Sequence, residues 1–226
     1  MKKNFDEIIE YIKTLQEYSL PDYNELPKIP LYMEQVTTYV SDTLSPLFKD
    51  NLDGIISPHR VNNYVKAKIL IPPKDKKYDV NHIGYLIFIS LLKTSASLRN
   101  LAALIEVDNK LLKTDKKDLY TLFQKIHDNQ MEKILQNVLK KLDLYIDKYE
   151  SSDKEEEEKD NDFNKNIANL ALKLYIDSEI NKLIADALTS GIVKELLPTT
   201  AQKGQDIDSK IENIKIKKEA EQLKTR

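Results

Sequence analysis

The chain has no cysteine and no tryptophan, only 4 glycines, and no apolar run long enough to span a bilayer. Without cysteine, disulfide scaffolds, thiolate zinc sites, iron–sulfur clusters and cysteine nucleophiles are excluded together, and a reducing cytoplasm is the simplest setting. Gly54, Gly84, Gly191 and Gly204 each stand alone, so neither common glycine-rich phosphate loop can be written. The most apolar stretch, residues 83–92, contains Gly84 and Ser90 and falls short of the roughly 20 residues that a membrane span needs. It reads as a buried core helix. Residues 4–18 put Phe5, Ile8, Ile9, Ile12 and Leu15 on one helical face, which is an amphipathic helix and not a signal peptide. No serine sits in a Gly-x-Ser-x-Gly elbow, and His59, His82 and His127 share no metal-ligand spacing. Carboxylates are plentiful, but none is singled out as a catalytic pair. Neither an enzyme nor a metal or cofactor site is expected.

What is present is charge, unevenly placed. The 226 residues carry 35 basic and 37 acidic side chains, a net charge of −2. Residues 1–56 have a net charge of −5, residues 150–162 one of −6, and residues 57–99 one of +6. Phosphates respond to the local field and not to the total, so a cationic block inside a near-neutral chain fits a polyanion-binding module. Lysine-rich solvated surface is the competing explanation of the same block.

Helical spacing dominates, and no alternating strand of useful length is found. After the first helix, a connector with Pro21, Pro27 and Pro30 precedes a helix over 31–48, with Tyr32, Val36, Tyr39, Val40 and Leu44 inward. Leu52-Asp53-Gly54 makes a turn. Ser57-Pro58 then supplies a capping hydroxyl and a proline at the first helical position, starting a helix over 57–68. Val61, Tyr64, Val65 and Ile69 form its apolar side; Arg60, Asn63 and Lys66 fall opposite. Residues 72–78, Pro-Pro-Lys-Asp-Lys-Lys-Tyr, are a basic loop. Asp79 caps a helix over 80–93, and a shorter helix runs over 97–106. Residues 115–149 are helical with a break expected near Asp128-Asn129. Their second half carries a heptad-like seam of Met131, Leu135, Val138, Leu142, Tyr145 and Tyr149, which suits a dimer or packing within one chain equally. Residues 151–162 read as a solvated acidic loop. Residues 163–197 follow as a helix interrupted at Gly191, with apolar residues too widely spread for one stripe, so burial on two sides is expected. A polar tail, 199–226, closes the chain.

The segment 57–93 resembles the winged helix-turn-helix of the MerR superfamily. The residues that carry the likeness are Tyr64 in the helix, Leu70-Ile71-Pro72-Pro73 at the turn, Lys74 to Tyr78 as a wing, Asp79-Val80 at the next helix start, and Ser97-Leu98 at the one after. The family places arginine before the helix aromatic and glycine before the Leu-Leu, where this chain has Asn63 and Ile69. Lys66 or Arg60 would then supply the phosphate clamp, and the helix must close without an easy left-handed residue. Leu26-Pro27, Leu31 through Val36, Val61 through Lys66, and Lys77-Tyr78 also look like an uncharacterised bacterial family of unknown function with a MerR-like helix-turn-helix. That likeness implies a fold and a DNA-binding role but no established activity.

The expected architecture is therefore all-α: N-terminal helices and a winged helix-turn-helix within 1–106, the motif core being 57–106, then a C-terminal helical bundle over 107–198. On this reading the chain is a cytoplasmic transcriptional regulator that binds double-stranded DNA. Asn62 or Asn63 would read an adenine edge, and Arg60 a guanine or a phosphate. His59, Lys66, Lys68, Lys74, Lys76, Lys77 and Tyr78 would meet the backbone. A homodimer is expected, because paired half-sites make up for the small surface of one module. A small-molecule effector between the C-terminal helices is left open. The alternative is a helical protein-protein interaction adaptor that binds no DNA.

Overall fold

The computed structural model describes residues 2–48, 55–107 and 117–196. The expected turn at residues 52–54 and the tail at 199–226 lie outside these. Seven α-helices are described: α1 (Lys2–Gln16), α2 (Met33–Leu44), α3 (Pro58–Lys66), α4 (Val80–Leu92), α5 (Leu98–Val107), α6 (Lys117–Glu150) and α7 (Glu156–Leu196). A 3-10 turn at Ser45–Leu47 extends α2. Two short strands, β1 (Leu31–Tyr32) and β2 (Lys77–Tyr78), pair antiparallel with Leu31 opposite Tyr78 and Tyr32 opposite Lys77. The chain is mostly helical, as expected; none of its described helices is long and apolar enough to cross a membrane.

α4 is the axis of the core. Residues 82–90 are all buried, so its apolar side chains face neighbours all round, which is how a central helix reads in sequence. Val36, Val40 and Leu44 of α2, Val61 and Tyr64 of α3, Leu101 and Ile105 of α5, and Tyr120 and Phe123 of α6 complete the cluster. Gly84 allows α6 to come close: a Cβ there would lie 3.0 Å from Tyr120 Cδ2. Both flanking starts are capped as the sequence predicts. Ser57 Oγ accepts from the Arg60 amide at 3.3 Å, and Asp79 Oδ1 accepts from the Asn81 and His82 amides at 3.0 and 3.1 Å.

Several expectations need correction. α6 runs without a break through Asp128-Asn129, where Asp128 is tied both to the connector before α2 and to His127 Nδ1 of its own helix at 2.8 Å, and Asn129 is exposed. Asp128 Oδ1 accepts from the Leu20 amide at 3.3 Å, while Gln124 Nε2 donates to the Leu20 carbonyl and Tyr120 Oη to that of Pro21. α6 thereby clamps the connector that leads to α2. The acidic stretch 151–162 is a loop only in its first part: α7 starts at Glu156, with Glu156, Glu157 and Glu158 in its first turn, where carboxylates suit the positive end of the helix dipole. Lys154 further neutralises Glu158 and Asp162 at 2.6 and 2.8 Å. Helix α7 also continues past Gly191.

Tyr32 does not join the inward stripe of α2. It sits in β1, 54% exposed, beneath the Lys77 ammonium, 5.1 Å from the ring centre. The seam of α6 turns inward toward α1 and α7, burying Leu135 and Leu142. α7 packs on α5 and α6, but its far side has no cover from the described residues: Ile180, Leu183, Ile184 and Leu188 are each at least half exposed. Burial on two sides is thus not found among the described residues.

Candidate nucleic-acid interface

α3 is short, and its two faces differ in kind. Val61 and Tyr64 turn into the core, while His59, Asn62, Asn63 and Lys66 are exposed. Asn63 Nδ2 lies 3.3 Å from His59 Nδ1 one turn away, so those two side chains share an edge of the helix. Arg60 is half-buried. Its charge lies near Lys93, whose Nζ donates to the Ile55 carbonyl. Burial, with Arg60 adding to it, pushes the Lys93 ammonium down to about 8. Arg60 is therefore less exposed than Asn63 and Lys66 on the same side of the helix.

The helix ends in a Schellman closure. The Lys68 amide donates to the Val65 carbonyl and the Ile69 amide to that of Tyr64, both at 3.0 Å, and Lys68 takes a left-handed φ of 59°. The left-handed residue that the sequence lacks as glycine is thus supplied by lysine, one position before Ile69. Ile69 and Tyr64 are both buried, which gives this motif its usual apolar clasp. The Lys68 side chain is left exposed beside the end of α3.

The basic loop 72–78 contains a tight hairpin turn. Lys77 N–H donates to the Lys74 carbonyl at 2.9 Å, and the two residues between, Asp75 and Lys76, both have left-handed backbones, φ 52° and 60°. That is the two-residue turn whose twist matches the strands it joins. It holds Lys74, Lys76 and Lys77 in solvent. Tyr78, expected to touch backbone phosphate, is instead 2% exposed. The strand alternates, so with Lys77 outward its neighbour must point inward, and Tyr78 anchors the hairpin to α2 and α4. Burial raises its hydroxyl above the ordinary tyrosine value.

One residue that spacing alone did not single out ties these parts together. His82 is 8% exposed; its Nε2 meets the Ile71 carbonyl at 3.1 Å, its Nδ1 lies 2.7 Å from Asp79 Oδ1, and its ring stands edge-on to Tyr78. It thus links the turn after α3, the hairpin and the start of α4. The signal was available: Asp79 and His82 have the three-residue separation of a capping box. Hydrogen bonds from the His82 side chain and backbone and from the Asn81 amide outweigh burial and hold the Asp79 carboxyl below its usual value.

Among the described residues no group of three or more histidines and carboxylates is placed to hold a metal ion. A domain of unknown function (DUF1836) is found at residues 21–126, a span that takes in α2, α3, the hairpin, α4, α5 and the first turns of α6. No curated protein and no solved structure matches the chain.

Proposed function

We propose that the chain is a non-enzymatic cytoplasmic DNA-binding regulator, with α3 in the major groove and the 74–77 hairpin on the phosphate backbone in the manner of a MerR-like winged helix-turn-helix. One observation carries this reading: two elements that follow one another in the chain, each fastened by a buried tyrosine, turn Asn62, Asn63, His59 and five lysines outward, with Asp75 at the hairpin tip as the one exposed acid among them. Asn62 and Asn63 are the base-reading side chains, each able to pair bidentately with an adenine edge. Lys66, Lys68, Lys74 and Lys76 supply phosphate contacts. Lys77 does so from its seat over Tyr32, His59 steadies Asn63, and Arg60 contributes mainly to the field.

Fluorescence anisotropy with a random-sequence duplex tests this. Contact with about three to five phosphates gives a slope of log affinity against log salt of about −3 to −4.5. Replacing Lys74, Lys76 and Lys77 together with alanine should make that slope shallower by about 2 to 3. Binding that is absent, or whose salt slope the triple variant leaves unchanged, overturns the proposal.

The reading includes a homodimer, with the open apolar side of α7 as the surface that a second copy would cover. That same surface is the observation favouring the adaptor alternative. Sedimentation separates them: a dimer at micromolar concentration supports the regulator, and a monomer leaves the face to a different protein.

A further inference from the structure

Where α1, the end of α6 and the start of α7 meet, a cleft of about 90 Å³ is lined by Phe5, Ile9, Ile146, Tyr149 and Phe163, with Asp6, Glu150 and Asp160 as its charged residues. That volume is several times the roughly 10–15 Å³ that one water needs. Phe163 stands edge-on to both other rings, 4.9 Å from Phe5 and 5.7 Å from Tyr149 between centres. The Tyr149 hydroxyl lies 2.8 Å from Glu156 Oε1 and 3.1 Å from Asp160 Oδ1 and shares its one proton with this carboxylate pair, which fixes the ring.

Charge is segregated about this ring pair. The adjoining cleft, which also contacts Tyr149 and Phe163, is lined by Lys148, Lys159 and Lys165 and a single acid, Asp162. The first cleft has three carboxylates and no basic residue. An apolar cleft lined by three aromatic residues and three acids attracts a cation that also loses little by leaving water: the π density of the rings draws it, the carboxylates raise its local concentration, and Ile9 and Ile146 take its alkyl groups.

We propose that this cleft is a binding site for a small organic cation of the alkylammonium class. It shares no residue with α3 or the hairpin, so it stands or falls independently of DNA binding. A neutral molecule of the same shape would gain the apolar contact but neither electrostatic contribution.

The test compares choline with its uncharged isostere 3,3-dimethyl-1-butanol, using saturation-transfer NMR and calorimetry on the full chain. Choline should bind at least tenfold more tightly than the alcohol. Phe163→Leu, which keeps apolar bulk but removes the shared ring, should weaken choline at least fivefold, and Asp6→Asn with Asp160→Asn, whose amide oxygen still accepts from Tyr149, should do the same. If Phe163→Leu loses its thermal transition, the carboxylate pair and the wild-type comparison still decide. Absence of choline binding, equal affinity for the alcohol, or choline affinity unaltered by the carboxylate pair overturns the proposal.

Discussion

Lys68, Asp75 and Lys76 hold left-handed backbone that glycine adopts freely, and a side chain there costs about 1 kcal/mol. At Lys76 this sets stability against function. Lys76→Gly should raise unfolding stability by roughly 0.5–1 kcal/mol in urea titrations while weakening DNA binding; a loss of stability would show that the turn does not carry the strain. Lys93 gives a second handle. Its ammonium, pushed down to about 8 by burial and by Arg60, is neutral in the folded chain while still protonated in the unfolded one up to about pH 10.4. The unfolded state therefore binds more protons over that window, and stability should rise with pH from about 8 to 10. Above pH 10 the sign reverses, because burial holds the Tyr18 and Tyr120 hydroxyls protonated in the fold beyond the usual tyrosine range. Thermal melts across pH should show a maximum near pH 10 in the wild type, and Lys93→Met should remove the rise that precedes it.

At the level of elements, α3 and α4 were legible because their signals are local: Ser57-Pro58 and Asp79 sit at the starts, and the apolar residues of α3 recur at helical spacing. The outcome at α6 was not legible, since its polar middle meets Leu20 and Pro21, about a hundred residues away in sequence. Nor was β1, whose pairing depends on where the hairpin folds back. The α4–α6 contact is itself testable. Gly84→Ala gains about 1 kcal/mol of helix propensity but forces a Cβ against the Tyr120 ring, an overpacking cost of about 1–3 kcal/mol. A net loss of about 1 kcal/mol is expected from urea unfolding. A net gain would show that α6 yields easily at this point.

For the whole molecule, the charge blocks of the sequence become surfaces of opposite kind. The cationic block is divided between α3, its closing turn and the hairpin, while the acidic block becomes partly the first turn of α7 and partly the rim of an aromatic cleft. The lysines of the candidate site were legible from sequence as charge, but the inward turn of Tyr78 and the partial burial of Arg60 were not, because strand alternation decides the first and the nearby Lys93 marks the second. The far side of α7 shows the opposite case: the sequence pattern asks for a second cover, and the described residues do not provide it. The central claim is that the α3 and hairpin surface is where DNA lies. Lysine acetylation rates, measured by mass spectrometry with and without a random-sequence duplex at low salt, address it residue by residue. Binding at this surface predicts severalfold protection of Lys66, Lys68, Lys74 and Lys76 with Lys125, Lys133 and Lys140 of α6 unchanged. Protection that is absent, or that falls on α6 instead, contradicts it.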